Sequence, residues 1–429
     1  MAIYAGFFTL AGLFIIGVPV FAAFFGFNII AAILLMGPQM LSLFSASILD
    51  TVTTGELVTV PLFILMGELL FRSGCIAILF DAVDDIIGRI RGRQYVIVVV
   101  ISVLLGALSG SAVAVAAMLG RTVMVEGMKR GGDRRLLAGL ILGGSCLAPI
   151  IPPSFLVVLI GMLSGTSISA LLAAGVLPGL VAGLLFFLYV QVQLHLDPSR
   201  DLERNESRLQ RPLWKAIISL MPFSLVIFSV LGLILLGIAT PSESAACGVV
   251  GALIVSAIYR KLTVKMVIEA LKGAVLMSSM ILLIMAASKI LTQLLAFSGF
   301  THELIAFLTA MDLSMLAALI LLMLIPFVLC MFLDQIALML ILIPIYNPLI
   351  GVFGFDPLVF WTLFLLNLTL GAITPPFGYA LFTLSASSPS EVSLKEIYAA
   401  AWPFIGLIVL TMVLTYSFPA LVTWLPARL

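Results

Sequence analysis

The placement of Lys and Arg constrains this chain more than any other feature. None occurs from Met1 to Phe71. Four groups follow, Arg72 to Arg93, Arg121 to Arg135, Arg200 to Lys215 and Arg260 to Lys272, with apolar sequence between them. No cation lies between Lys289 and Lys395, and Arg428 is nearly terminal. Cytoplasmic loops of membrane proteins collect Lys and Arg, so all four groups are predicted to face the cytoplasm. Composition agrees: of 429 residues, 63% are hydrophobic and 10% charged, too few polar residues to cover a large soluble domain. At roughly 20 residues per crossing the chain has room for about a dozen spans, making it an all-α polytopic membrane protein. The net charge of +1 carries no nucleic-acid signal. The first residues lack the basic flank of a signal peptide and read as a membrane helix. Cys75, Cys146, Cys247 and Cys330 are scattered, mostly in apolar runs, as buried hydrophobes are, rather than disulfides or metal ligands.

Two segments are too short to cross twice. Residues 94 to 120 separate the first two basic groups, whereas two crossings and a turn need about 40 residues. A re-entrant hairpin satisfies this, with its tip at Ser109, Gly110 and Ser111. Backbone at such a tip survives at membrane depth only when buried in protein or lining a polar cavity. A second hairpin, Leu313 to Tyr346, contains Pro326 and Asp334 and has cation-free flanks, which places it on the opposite face.

The two halves correspond. At an offset near 223, "SGS" (109 to 111) meets "FLD" (332 to 334), and "IIPPS" (150 to 154) meets "ITPPF" (373 to 377). "GVP" ending at Pro19 answers "IATP" ending at Pro241, and "FILMGELLFRSG" resembles "LLIMAASKILTQLLAFSG" after a gap. Five crossings are predicted per half: 2 to 17, 19 to 36, 50 to 71, a broken 136 to 165, and 169 to 194; then 216 to 237, 242 to 259, 273 to 295, a broken 358 to 390, and 398 to 424. An odd number inverts the second copy and leaves both termini periplasmic. The hydrophilic residues 195 to 215 form the linker. Residues 72 to 94, with Asp81, Asp84, Asp85, Arg89 and Arg91 at helical spacing, read as an interfacial helix with a solvated charged face.

Inverted-repeat secondary transporters bind substrate and coupling ions where broken helices meet hairpin tips. The breaks here are "APIIPPSF" and "GAITPPFG", each expected to face the tip of its own half. Proline lacks an N–H and displaces the carbonyl one turn earlier. Freed carbonyls suit a small cation, and half-helix N-termini suit an anion. Asp334, an intramembrane acid, is functional by default, either as an ion ligand or as support for the tip. Glu68, Glu243 and Lys289 read as packing or interface residues. His195 and His302 have no metal-ligand company. There is no H-E-x-x-H, G-x-S-x-G or Walker A motif, so an ion gradient is the natural energy source. A channel, or an intramembrane hydrolase using Asp334, remains the alternative.

"PLFILMGELLFRSG", "LSGSAVAVAAMLG", "PIIPPSFLVVLIG", "AGVLPG", "ATPSESAA", "FLDQIALMLILIPI" and "LNLTLGAITPPFGYALF" together resemble the large membrane subunit of tripartite ATP-independent periplasmic (TRAP) transporters. The resemblance runs in order through nearly the whole chain. It implies sodium-driven uptake of an organic acid, often a C4-dicarboxylate or sialic acid, across the bacterial inner membrane. It also implies delivery by a periplasmic substrate-binding protein and a separate small four-helix membrane subunit. The implied elevator divides each repeat. Scaffold helices (1–71), a cytoplasmic arm (72–94), hairpin and broken helix of the transport domain (95–165) and a last helix (166–194) precede the linker (195–215). Scaffold helices (216–296), a periplasmic arm (297–312), hairpin and broken helix (313–390) and a last helix (391–429) follow it. One implied Na⁺ site uses Ser109, Gly110 and Ser111 with oxygens around Ala148, Ile151 and Ser154. The other uses the tip around Cys330 and Asp334 with Gly371, Thr374 and Phe377. Substrate lies between them, near Ser109, Ser111, Ser154 and Thr374. Family members usually carry glycine where this chain has Ala148 and Cys330, which puts the local turn geometry in question.

Overall fold

Helix ends fall where the sequence supplies caps. Thr240 with Glu243, and Ser393 with Glu396, form reciprocal capping boxes, which satisfy first-turn amides that lipid cannot. Ser167, Thr263 and Ser314 cap three more helices through their hydroxyls.

A computed structural model of the chain describes residues 12–13, 16, 18–37, 40–88, 90, 92–129, 131–198 and 212–429, which form helices and turns with no strand among them. The first half contains α1 (Val20–Met36), α2 (Met40–Thr53), α3 (Thr59–Arg72), α4 (Ile76–Ile87), α5 (Arg93–Ser109), α6 (Ala112–Leu119), α7 (Val125–Lys129), α8 (Arg134–Leu147), α9 (Phe155–Ser164) and α10 (Ile168–Leu196). The second contains α11 (Leu213–Leu235), α12 (Pro241–Ile258), α13 (Val264–Phe297), α14 (Phe300–Ala310), α15 (Met315–Cys330), α16 (Gln335–Phe353), α17 (Pro357–Ile373), α18 (Tyr379–Ser387), α19 (Leu394–Ser417) and α20 (Ala420–Thr423).

Both expected breaks are present, between α8 and α9 and between α17 and α18. The expected helix at 2–17 and most of the linker lie outside the described residues. Other boundaries differ. Residues 40–53 form a separate helix, and the expected 50–71 crossing is α3 preceded by a 3₁₀ turn, Gly55–Val58. The arm after the first tip does not stop at Gly120; a π-helical turn, Gly120–Met124, carries it on to Lys129. Arg121 therefore lies within that arm, and the cation group does not mark its end. Likewise, α16 continues past Tyr346 to Phe353 despite Pro344 and Pro348. Among the described residues, six helices (α10, α11, α12, α13, α16 and α19) are long and apolar enough to cross a membrane, or seven counting the bent pair that joins α2 to α3.

The helices leading into the breaks form the centre. α8 is buried from Leu136 to Leu147, and α17 from Val359 to Ile373. Close approach depends on small residues, as in membrane packing generally. A Cβ on Gly139 or Gly143 would lie 2.4 or 2.5 Å from the Phe404 ring of α19. Packing partners recur between halves. α5 packs on α8 as α15 packs on α17, and α6 packs on α18 as α16 packs on α9. The arm helices also begin alike. Gly74 and Gly299 have φ of 68° and 73°, and the preceding Ser73 and Ser298 donate their hydroxyls to Leu70 and Leu295 carbonyls.

The solvated-face reading of α4 is corrected at one residue. Asp84 is 2% exposed, and its Oδ1 accepts from Arg93 Nε at 2.7 Å, while Arg93 Nη2 donates to the Asp84 carbonyl at 2.9 Å. The acid is buried because α4 packs on α5. Because the Arg93 side chain is 26% exposed, water partly replaces the lost acceptor, so Asp84→Ala is expected to cost about 1–3 kcal/mol. A lowered thermal midpoint in detergent checks this. Lys289 pairs with Asp50, and Glu243 serves its cap, both packing roles. Three of the four cysteines are buried, Cys247 is exposed, and all four are free thiols.

Candidate functional site

Each tip abuts the break of its own half. The chain leaves α5 through Gly110, whose φ of 60° needs glycine, and Ser111 caps α6 by accepting from Ala114 N at 3.3 Å. A Cβ at Gly110 would stand 3.6 Å from both the Pro153 carbonyl oxygen and the Phe155 amide nitrogen. In the second half α15 ends at Cys330, and Asp334 Oδ2 caps α16 by accepting from Ile336 N at 2.9 Å. Tip support by Asp334 is thus realised as a helix cap. The Pro152–Pro153 and Pro375–Pro376 bonds are both cis.

Neither Ala148 nor Cys330 strains its turn. Ala148 has φ −58° and ψ −45°, and Cys330 is the last residue of α15, so neither requires a glycine conformation. Partner glycines make room instead. A Cβ on Gly106 would lie 2.8 Å from Ala148 Cα, and one on Gly371 would lie 2.6 Å from Cys330 Cβ. The halves use the same contact with sizes exchanged: glycine on the hairpin in one, glycine before the break in the other.

Around the first break, Ser154 is fully buried and its Oγ has no hydrogen-bond partner. Among the described residues no backbone donor reaches the Ala148 or Ile151 carbonyl. These oxygens fit a small cation, which would satisfy a hydroxyl otherwise left unpaired at a cost of about 1–3 kcal/mol. Ser109 closes α5 beside them. Around the second break the oxygens are more engaged. Thr374 Oγ1 donates to Leu370 O at 2.7 Å, Gly371 O accepts from Thr374 N at 3.2 Å, and Thr374 O accepts from Gly378 N at 3.1 Å. Each acceptor keeps a second lone pair. Phe377 is 54% exposed and packs on Phe332 of the tip, ring centroids 5.3 Å apart.

Between the tips lies a cavity of about 390 Å³. Gly110 and Ser111 line it from one tip, Asp334 and Gln335 from the other, with Phe155, Tyr379, Met277 of α13 and Glu68 of α3. Of the four residues expected at the substrate, Ser111 is in this wall, Ser154 and Thr374 are not among its described lining residues, and the Ser109 side chain lies outside what the structure describes. Sequence reasoning missed Gln335, Tyr379 and Met277. Gln335 was detectable as a second polar residue beside Asp334 in an apolar hairpin; Met277 carried no signal. Glu68 pairs with Arg72 at 2.5 Å and also faces the cavity. Among the described residues no group of three or more His, Cys, Asp or Glu could hold a metal ion.

Two interrupted helices, each met by a helix tip beside a shared cavity in a bundle of apolar spans, define a multi-pass membrane transport protein. The fold is similar to the YdaH transporter of Alcanivorax borkumensis (TM-score 0.62, 14% identity, 90% of each chain). It is also similar to MtrF of Neisseria gonorrhoeae (TM-score 0.60, 14% identity, 89% of this chain and 83% of that one). The family is narrower: residues 7–421 match the model of the tripartite ATP-independent periplasmic transporter, DctM component, and the chain belongs to that family.

Curated relatives match end to end. The ectoine/5-hydroxyectoine TRAP transporter large permease protein of Ruegeria pomeroyi is 26% identical, over 98% of this chain and 97% of its own. The C4-dicarboxylate TRAP transporter large permease protein of Pseudomonas aeruginosa is 28% identical, over 92% and 91%. The sialic acid TRAP transporter large permease protein of Vibrio cholerae is 28% identical, over 97% and 96%. The chain is therefore an inner-membrane transporter subunit for organic substrates and not an enzyme, which removes the hydrolase alternative.

Proposed function

We propose that this chain is the large membrane subunit of a sodium-driven importer, moving an organic solute bound in the cavity between the two tips. The carrying observation is that cavity, walled by both tips while each tip rests on a proline break. Membership in a tripartite family supports two partners, a small membrane subunit and a periplasmic binding protein that delivers the solute. Relatives bear names for ectoine, C4-dicarboxylate and sialic acid, so an organic acid is the broad class.

An inverted repeat is supported by one contact above all. Cys146 Sγ donates to Thr369 O at 3.3 Å, and the two residues are 223 apart, the same offset that aligns the halves. A residue that touches its own counterpart lies beside a two-fold axis. The recurrent packing of α5 on α8 and α15 on α17 obeys the same relation. On this reading the two tips are re-entrant hairpins from opposite faces, both termini are periplasmic, and residues 95–165 and 313–390 move as an elevator against the other helices.

One Na⁺ is held by the Ala148 and Ile151 carbonyls with Ser154 Oγ beside Ser109 to Ser111, and another by the Gly371 and Thr374 oxygens beside Cys330. Ser154→Ala is expected to leave sodium-free stability unchanged or raised, because it removes an unpaired buried hydroxyl. It should also abolish part of the sodium-induced rise in thermal midpoint, since a ligand at a hundredfold its Kd stabilises by about 2.7 kcal/mol. Thr374→Ala should raise the half-saturating sodium for uptake several-fold. An unchanged sodium titration in either variant would remove that residue from its site.

A further inference from the structure

Resting on the transport reading, we propose that the substrate is a zwitterion, carrying a carboxylate beside a protonated nitrogen, rather than a dicarboxylate. Among the described residues the cavity wall contains no Lys, Arg or His. Its fixed charges are two carboxylates, and Glu68 is already paired with Arg72, a residue outside the wall. Asp334 has no cationic partner in that wall. Its carboxylate caps the helix, accepting from Ile336 N through Oδ2 at 2.9 Å, and stands in the cavity wall. Next to it, Gln335 is 4% exposed, and its Nε2 donor is buried without a hydrogen-bond partner. A buried amide donor calls for an acceptor from the ligand.

Adjacent residues at one helix start thus bring an unpaired donor and a carboxylate without a cationic partner to the wall of the same space. A group offering an acceptor next to a cation answers both. A dianion would answer the donor and oppose the acid, with no basic side chain to compensate for the loss of water around its charges. Bound sodium adds positive charge for any anion alike, so it does not favour two carboxylates over one. The substrate carboxylate meets Gln335 Nε2 and the first-turn amides of α6 beyond Ser111, where a helix N-terminus favours negative charge. The protonated nitrogen meets Asp334.

Purified large subunit with its small membrane partner is to be melted with ectoine, succinate or N-acetylneuraminate, each in sodium and in potassium. Ectoine, a cyclic amidinium carboxylate, is expected to raise the midpoint in sodium, and succinate is not. Asp334→Asn retains a good helix cap while removing the charge. It should lose the ectoine shift but keep the shift produced by sodium alone, and Gln335→Leu should weaken the ectoine shift several-fold. A succinate or N-acetylneuraminate shift equal to that of ectoine would overturn the proposal, as would an ectoine shift that survives Asp334→Asn. Loss of the sodium shift in Asp334→Asn would make Asp334 an ion ligand and overturn its substrate role. The importer reading stands or falls separately, on whether uptake of any solute requires sodium.

Discussion

Uptake by the reconstituted large and small subunits with loaded binding protein is expected to fall to background when external sodium is replaced by potassium. The reason is geometric. Among the described residues the oxygens of the first break, Ser154 Oγ and the Ala148 and Ile151 carbonyls, receive no protein donor, and on the proposed reading a cation supplies the missing partner. Binding that completes the break also fixes the tip, because Gly110 lies against Pro153 and Phe155. An electrical gradient then adds about 2.3 kcal/mol per charge for each 100 mV. Uptake that persists in potassium at an undiminished rate would refute sodium coupling, and uptake without binding protein would favour a channel.

The second large effect concerns the exchanged glycine contact. Gly371→Ala places a methyl 2.6 Å from Cys330 Cβ and 3.2 Å from the Phe327 carbonyl. Overpacking of this kind costs about 1–3 kcal/mol, and here it also pushes the second tip off its break, so transport should fall at least tenfold. The double variant Cys330→Gly, Gly371→Ala reproduces the arrangement of Gly106 with Ala148. It should recover most of the lost activity and midpoint, even though glycine at a helix end costs up to about 1 kcal/mol. Strict additivity of the two single effects would show that the pair is not coupled.

The proline pairs, the tips and the spacing between them were legible in the sequence because they rest on local rules: proline cannot continue a helix, and glycine turns a chain at little cost. The capped helix starts at Thr240 and Ser393 rest on equally local rules, although the crossings expected there begin at 242 and 398. Helix lengths near cations were not. Arg121 resembles a loop marker, yet it is an exposed residue of a π turn, otherwise largely buried, through which the arm continues. A charge sequence cannot distinguish a helix that ends from one whose polar face has reached water. Asp84 misled in the opposite direction, since its partner Arg93 belongs to the next helix and helical periodicity sees only one helix at a time. At the site, carbonyls left without donors could be inferred from the breaks. Met277 and Glu68 reach the cavity only through the packing of α3 and α13 against each other, which is tertiary information with no local signature.

Gly74 and Gly299 start the two arm helices with the chain in the left-handed region, and among the described residues no atom lies within 4 Å of where either Cβ would project. Each corner is therefore shaped by backbone torsion and not by interlocking side chains. A residue other than glycine at either corner would strain the backbone without meeting a neighbour, so the cost of replacing it is torsional.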